Sequence, residues 1–200
     1  MDKTLHIISS GKQRPETLIT IIEKIHEYVD YIHLRERQWT ARDHLAVIET
    51  LQMKNVPLEK LIINDRVDIA HVTNVHGVQL AHHSLDVATV RQEFPHLKIG
   101  CSVQSVDQAK KVEHMGAHWL IHGHIFKTAS KKDLPPRGLS SLEKIVKNVH
   151  VPVIAIGGMI PEKIPKVIQA GASGIAVLSG ILLADDPLEV AKQYRQALND

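Results

Sequence analysis

The chain has 200 residues, 44% of them hydrophobic and 23% charged, which is ordinary globular usage and excludes a disordered chain. A net charge of +2 and only two Trp, three Tyr and two Phe make neither the basic stripe nor the base-stacking platform of a nucleic-acid binder. No apolar run reaches the ~20 residues of a membrane helix, Met1-Asp2-Lys3-Thr4 opens no signal peptide, and the single Cys101 forms no internal disulfide, so a cytoplasmic protein is expected.

Eight short apolar segments follow one another along the chain, at 5–9, 31–35, 60–64, 77–80, 97–102, 119–123, 153–156 and 174–179. Helical patterns lie between and after them, near 15–29, 40–54, 66–73, 84–94, 105–116, 139–148, 161–170 and 187–198. Pro15, Pro161 and Pro187 stand where a first helical turn tolerates proline. Strict strand–helix alternation predicts parallel βαβ units, and eight of them predict a single (β/α)8 TIM barrel over 1–200. The rival is an open doubly wound sheet. That fold places a glycine-rich nucleotide loop after its first strand, and Ser9-Ser10-Gly11-Lys12 lacks the pattern.

Chemistry in such a barrel belongs to the C-terminal ends of the strands. The second strand reads Tyr31-Ile32-His33-Leu34-Arg35-Glu36-Arg37, and period-2 alternation puts Tyr31, His33, Arg35 and Arg37 on one side. Arg35 either binds an anion or pairs internally, for instance with Asp65. Asn64 and Asp65 end the third strand as hydrogen-bonding candidates, and Asp65 could equally cap the next helix. The sixth strand runs through His122 to His124, ahead of a polar loop holding Lys131. His124 stands at the strand end as the candidate proton-transfer group, with His122 read as a wall residue. The HxH pair lacks a third ligand, so no metal is expected. Gly157-Gly158 and Ser179-Gly180 end the seventh and eighth strands, where backbone amides commonly cradle a phosphate. In the other reading these glycines only turn the chain.

HLRER at 33–37, INDRVDIA at 63–70, GVQL at 77–80, GCS at 100–102, GHIFKTASK at 123–131, PVIAIGG at 152–158 and GIAVLSG at 174–180 together resemble the thiamine phosphate synthase superfamily. The match runs in order over nearly the whole chain, and the family's fold is a (β/α)8 barrel. The resemblance is strongest to its bacillus-type thiazole tautomerase branch, formerly described as a transcriptional regulator. Synthases hold magnesium with an aspartate after strand 3 and another after strand 4. Asp65 matches the first, whereas Ser84 stands at the second, and GHIFKT replaces a GPxFxT-like segment.

The branch implies an isomerase. It would aromatise a carboxythiazole phosphate by proton transfer at His124, without metal or cofactor. Arg35, Asn64 and the loop-borne Lys131 would contact the substrate, and Gly157, Gly158, Ser179 and Gly180 would hold its phosphate. The alternatives are a thiamine phosphate synthase (a transferase coupling a pyrimidine pyrophosphate to a thiazole phosphate), a non-catalytic regulatory or ligand-binding barrel, and an isomerase of another phosphorylated metabolite. The expected partner is a phosphorylated thiazole, with no direct nucleic acid, no membrane and a family-like homodimer.

Overall fold

A computed structural model describes residues 3–131 and 133–200. The chain alternates β1 (Thr4–Ile8), α1 (Pro15–Ile25), β2 (Tyr31–Leu34), α2 (Ala41–Met53), β3 (Leu61–Asn64), α3 (Val67–Val72), β4 (Gly77–Leu80) and α4 (Val87–Glu93). It continues with β5 (Lys98–Val103), α5 (Val106–His114), β6 (Trp119–Gly123), α6 (Gly138–Val146), β7 (Val153–Ile156), α7 (Ile164–Gln169), β8 (Gly174–Val177), α8 (Ser179–Leu182) and α9 (Pro187–Asn199). All neighbouring strands pair in parallel, and β8 returns to β1, closing the sheet. The protein is a single (β/α)8 TIM barrel, and the open-sheet alternative is excluded. Among the described residues no helix is long and apolar enough to cross a membrane.

Two boundaries differ instructively from the sequence pattern. The apolar run at 174–179 is strand only to Val177, and Ser179 begins the one-turn helix α8. The stretch near 161–170 splits into a 3-10 turn, Pro161–Lys163, and α7. Pro165 lies in the first turn of α7, where its missing N–H costs no intrahelical bond.

Alternation along the strands separates two apolar layers. Ile32, Leu34, Ile63, Val78, Ile99, Leu120 and Val153 face outward into the layer shared with the helices. Ile8, Ile62, Trp119, Ile121, Ile154 and Ala176 fill the barrel interior. The Trp119 indole is admitted by Gly100, where a Cβ would sit 2.1 Å from the ring. Inside, Trp119 Nε1 donates to Gln79 Oε1 (2.8 Å), and Gln79 Nε2 donates to Ser102 Oγ (3.1 Å). At the end of the barrel opposite the strand C-termini, Arg195 of α9 donates to the carbonyls of Tyr28 and Lys3 and pairs with Asp30.

The interior also holds imidazoles. His6 and His33 are buried, and burial pushes the pKa of His6 down to about 3 and that of His33 well below the usual 6.5. Neighbouring imidazoles add to both effects: His76 for His6, and His6 and His76 for His33. The unfolded chain takes up protons on these rings near pH ~6.5, while the folded chain does not. Stability is therefore full above that pH and drains as the pH falls toward the folded values. We expect a loss approaching ~1.4 kcal/mol per pH unit for each such histidine. Urea unfolding followed from about pH 7 to about pH 5 checks this, and a midpoint that stays constant contradicts it.

Candidate active site

The rim at the C-terminal strand ends is assembled from β2, β3, β6, β7 and β8. At the end of β2, Arg35 is half-buried, and its amide donates to the buried Ser9 Oγ (2.8 Å). Its guanidinium has no hydrogen-bond or ion-pair partner among the described residues. The internal pair with Asp65 does not form. Asn64 ends β3, and its Oδ1 is buried without a hydrogen-bond partner among the described residues. Arg37 is exposed, two residues beyond Arg35.

Asp65 adopts a left-handed backbone, φ 66°, which turns the chain from β3 toward α3. It does not cap that helix. Its Oδ1 accepts the Ser84 hydroxyl and its Oδ2 lies 2.8 Å from His83 Nε2. Ser84 Oγ also accepts the Ala81 amide (2.7 Å). The second carboxylate of the synthase pattern is thus a hydroxyl that already engages the first. No group of three or more His, Cys, Asp or Glu side chains suited to a metal is present among the described residues. These residues do not fit a two-carboxylate magnesium site.

His122 points away from the rim. Its Nδ1 lies 3.0 Å from the Val103 carbonyl and its Nε2 3.0 Å from Ser141 Oγ, so the ring joins β6 to α6. His124 is buried at the start of the following loop, with Nε2 3.2 Å from the Leu134 carbonyl. The Arg137 amide donates to the His124 carbonyl (2.9 Å), so both ends of this residue bind the loop that returns toward α6. Lys131 is exposed on the same loop, in the 3-10 turn Ala129–Lys131. His124 and Lys131 are therefore connected through one loop, whereas Arg35 and Asn64 form a separate group on β2 and β3.

Gly157 and Gly158 both have positive φ, 101° and 66°. A Cβ on Gly157 would meet His124 Cβ at 2.3 Å, and one on Gly158 would meet the Lys127 carbonyl at 2.5 Å. Their glycine identity serves close packing of the β7 turn on the β6 loop. Ser179 and Gly180 are exposed in the first turn of α8, whose leading amides have no intrahelical acceptor. Gly180 backs onto α9: a Cβ there would sit 2.7 Å from the Tyr194 hydroxyl and 3.1 Å from Val177 Cγ1. Tyr194 donates to the Met159 carbonyl (2.7 Å) and so fastens the β7 turn to α9. Its burial raises the hydroxyl pKa to about 12, keeping the donor protonated. The sequence pattern gives Tyr194 no role. Its signal is a tyrosine on the buried face of α9, beside Ala191 and Leu198.

The sequence model of the family described as "Thiamine monophosphate synthase" (TMP-TENI) matches residues 5–181. The chain belongs to the thiamine monophosphate synthase family. A thiamine-phosphate synthase of Pyrococcus furiosus is 30% identical over 98% of this chain and 95% of its own length. One from Chlorobium luteolum is 43% identical over 84% of this chain and 81% of its own length. The solved thiamine phosphate pyrophosphorylase of Pyrococcus furiosus superposes with a TM-score of 0.84 at 29% identity, covering 98% and 95% of the two chains. These relatives carry the synthase name, which corrects the expectation of a thiazole tautomerase and of an isomerase. The GHIFKT segment and Ser84 are departures at single positions within a chain that matches the family over residues 5–181.

The contact between Gly180 and Tyr194 gives a double-mutant prediction. Gly180→Ala is expected to destabilise by ~1–3 kcal/mol, the usual range for overpacking. In a Tyr194→Phe background the hydroxyl is gone, so the same substitution is expected to cost less, with a coupling of at least ~0.5 kcal/mol. Urea unfolding of the four proteins measures this, and strictly additive effects contradict the packing assignment.

Proposed function

We propose that the chain is a transferase of the thiamine-phosphate synthase type, coupling a pyrimidine pyrophosphate to a thiazole phosphate and releasing pyrophosphate. The observation that carries this reading is a rim with two separate sets of anion-receiving groups. One is the unpaired Arg35 guanidinium beside Asn64. The other is the backbone of Gly157, Gly158, Ser179 and Gly180 at the ends of β7 and β8. Two phosphorylated substrates require two such sets, and the synthase relatives support the pairing.

In this proposal the thiazole phosphate lies on the β7–β8 amides, where α8 begins. Arg35 binds the pyrophosphate of the second substrate, and Lys131 adds a cation as its loop approaches. Asn64 contacts the pyrimidine. His124 is a positioning residue: its bond to the Leu134 carbonyl holds the loop that carries Lys131. Neutralisation of the departing pyrophosphate falls to these cations and amides, because Asp65 is engaged by Ser84 and His83.

The test is coupling of the two substrates by the purified protein, read by pyrophosphate release and product mass. We expect product with the wild type, and retention of activity in excess EDTA. No product overturns the transferase reading, and a strict magnesium requirement overturns the metal-free assignment. Arg35→Ala is expected to raise KM for the pyrophosphate substrate by ~10–150-fold, the equivalent of a lost charged hydrogen bond. An unchanged KM removes Arg35 from the site.

A further inference from the structure

Away from the rim, at the end of the barrel where the strands begin, two imidazoles meet. His71 stands one residue before the end of α3, and His96 lies in the connection from α4, two residues before β5. His71 Nδ1 and His96 Nε2 are 3.0 Å apart, with the ring centroids separated by 5.0 Å and the planes tilted by 51°. The outer ring nitrogens, His71 Nε2 and His96 Nδ1, have no hydrogen-bond partner among the described residues. Neither side chain enters the proposed transfer.

The protein holds both rings in place. The half-buried His71 ring packs on Phe94, centroid to centroid 5.1 Å. The Phe94 amide donates to the Val90 carbonyl (2.9 Å), and the Leu97 amide donates to the Phe94 carbonyl (3.0 Å). Arg91 Nη1 donates to the Pro95 carbonyl (3.0 Å), and Leu97 is buried. The backbone is thus anchored on both sides of His96, whose ring stays exposed to water. Two imidazoles already brought together by folding lose little further freedom on taking a common ligand.

The spacing selects that ligand. Two nitrogens about 2.0–2.1 Å from one metal ion and 3.0 Å from each other subtend roughly 95° at the metal. A tetrahedral angle would need roughly 3.3 Å between them at the same bond length. An angle near 90° belongs to adjacent positions of a tetragonal ion such as Cu(II) or Ni(II), which imidazole suits. In the free protein one of the two nitrogens donates a proton to the other. On metal binding, the donor ring's proton moves through water to its outer nitrogen. Both rings then ligate as neutral imidazoles and no net proton is released. Arg91 is exposed, so water and salt screen its charge from a cation at the pair.

We propose that His71 and His96 form a two-imidazole chelate for a divalent cation of the copper or nickel type, with water completing its coordination. Two protein ligands make an open surface site, consistent with the lack of a larger ligand group among the described residues. The bound ion links α3 to the segment entering β5, on the opposite end of the barrel from the rim.

The full chain, labelled with 15N and free of substrate, is titrated with copper(II) sulfate in a buffer that does not bind copper. Paramagnetic loss of signal is read residue by residue. We expect His71 and His96 to fade together, at a lower copper concentration than the other described histidines. Electron paramagnetic resonance of the frozen sample is expected to show an axial copper centre with two nitrogen ligands. His71→Gln and His96→Gln are each expected to raise the copper concentration for half-loss at the remaining histidine by about tenfold, as for the removal of one of two ligands. His96→Gln changes only an exposed ring, so the test stands even if His71→Gln fails to fold. Fading at the pair no earlier than at other histidines, or unchanged at His71 in His96→Gln, overturns the chelate. The measurement needs no substrate, so its outcome is independent of the transferase reading.

Discussion

Closure of β8 on β1 is the constraint on which the other features depend. The seam pairs Thr4 with Gly174, Leu5 with Ile175, His6 with Ala176 and Ile7 with Val177. Gly174 makes it possible, since a Cβ there would lie 2.3 Å from the Thr4 carbonyl. Once closed, the sheet has no free edge and one interior. The same pairing brings Thr4 beside Ser173. It also puts the β8 end, with its α8 amides, next to the β1 loop.

Short strands leave little interior, and the side chains inside are matched in size across neighbours. Gly100 yields space to Trp119, while Gly123 lets the Ile156 carbonyl approach. Polar groups are admitted where they find partners, as in the Trp119–Gln79–Ser102 series. His33 Nδ1 and Asn64 Oδ1 have no hydrogen-bond partner among the described residues, and both lie on strands that end near Arg35. These departures from polar satisfaction lie beneath one sector of the rim, as expected where a ligand completes the bonding.

Much of this fold is legible in the sequence because period-2 alternation and helix-start prolines are local signals. Alternation puts His33 on the opposite side of β2 from Ile32 and Leu34, and those two pack in the layer shared with the helices. The glycines are less transparent. Position at the strand ends points Gly157, Gly158 and Gly180 to ligand approach, yet their Cα atoms pack on His124, Lys127 and Tyr194. Those neighbours are distant in sequence, so no local pattern reveals them. The functional branch is misleading for a related reason. GHIFKT and Ser84 are single-site departures, and their weight depends on contacts such as His124 with Leu134 that only the folded loop supplies.

Asp65 shows how one substitution redirects a site. A carboxylate in a left-handed turn can serve a metal only if its oxygens remain free to ligate. Here the Ser84 hydroxyl and His83 occupy them, and Ser84 is itself anchored by the Ala81 amide. An aspartate at position 84 would instead place a second negative charge beside the first, an arrangement that is unfavourable without a cation. The serine removes that repulsion and ties the β4 loop to the β3 turn through neutral and histidine donors. The turn is then held rigid by hydrogen bonds within the protein. Under the proposed transferase reading, the burden of substrate charge passes to Arg35, whose guanidinium has no partner among the described residues.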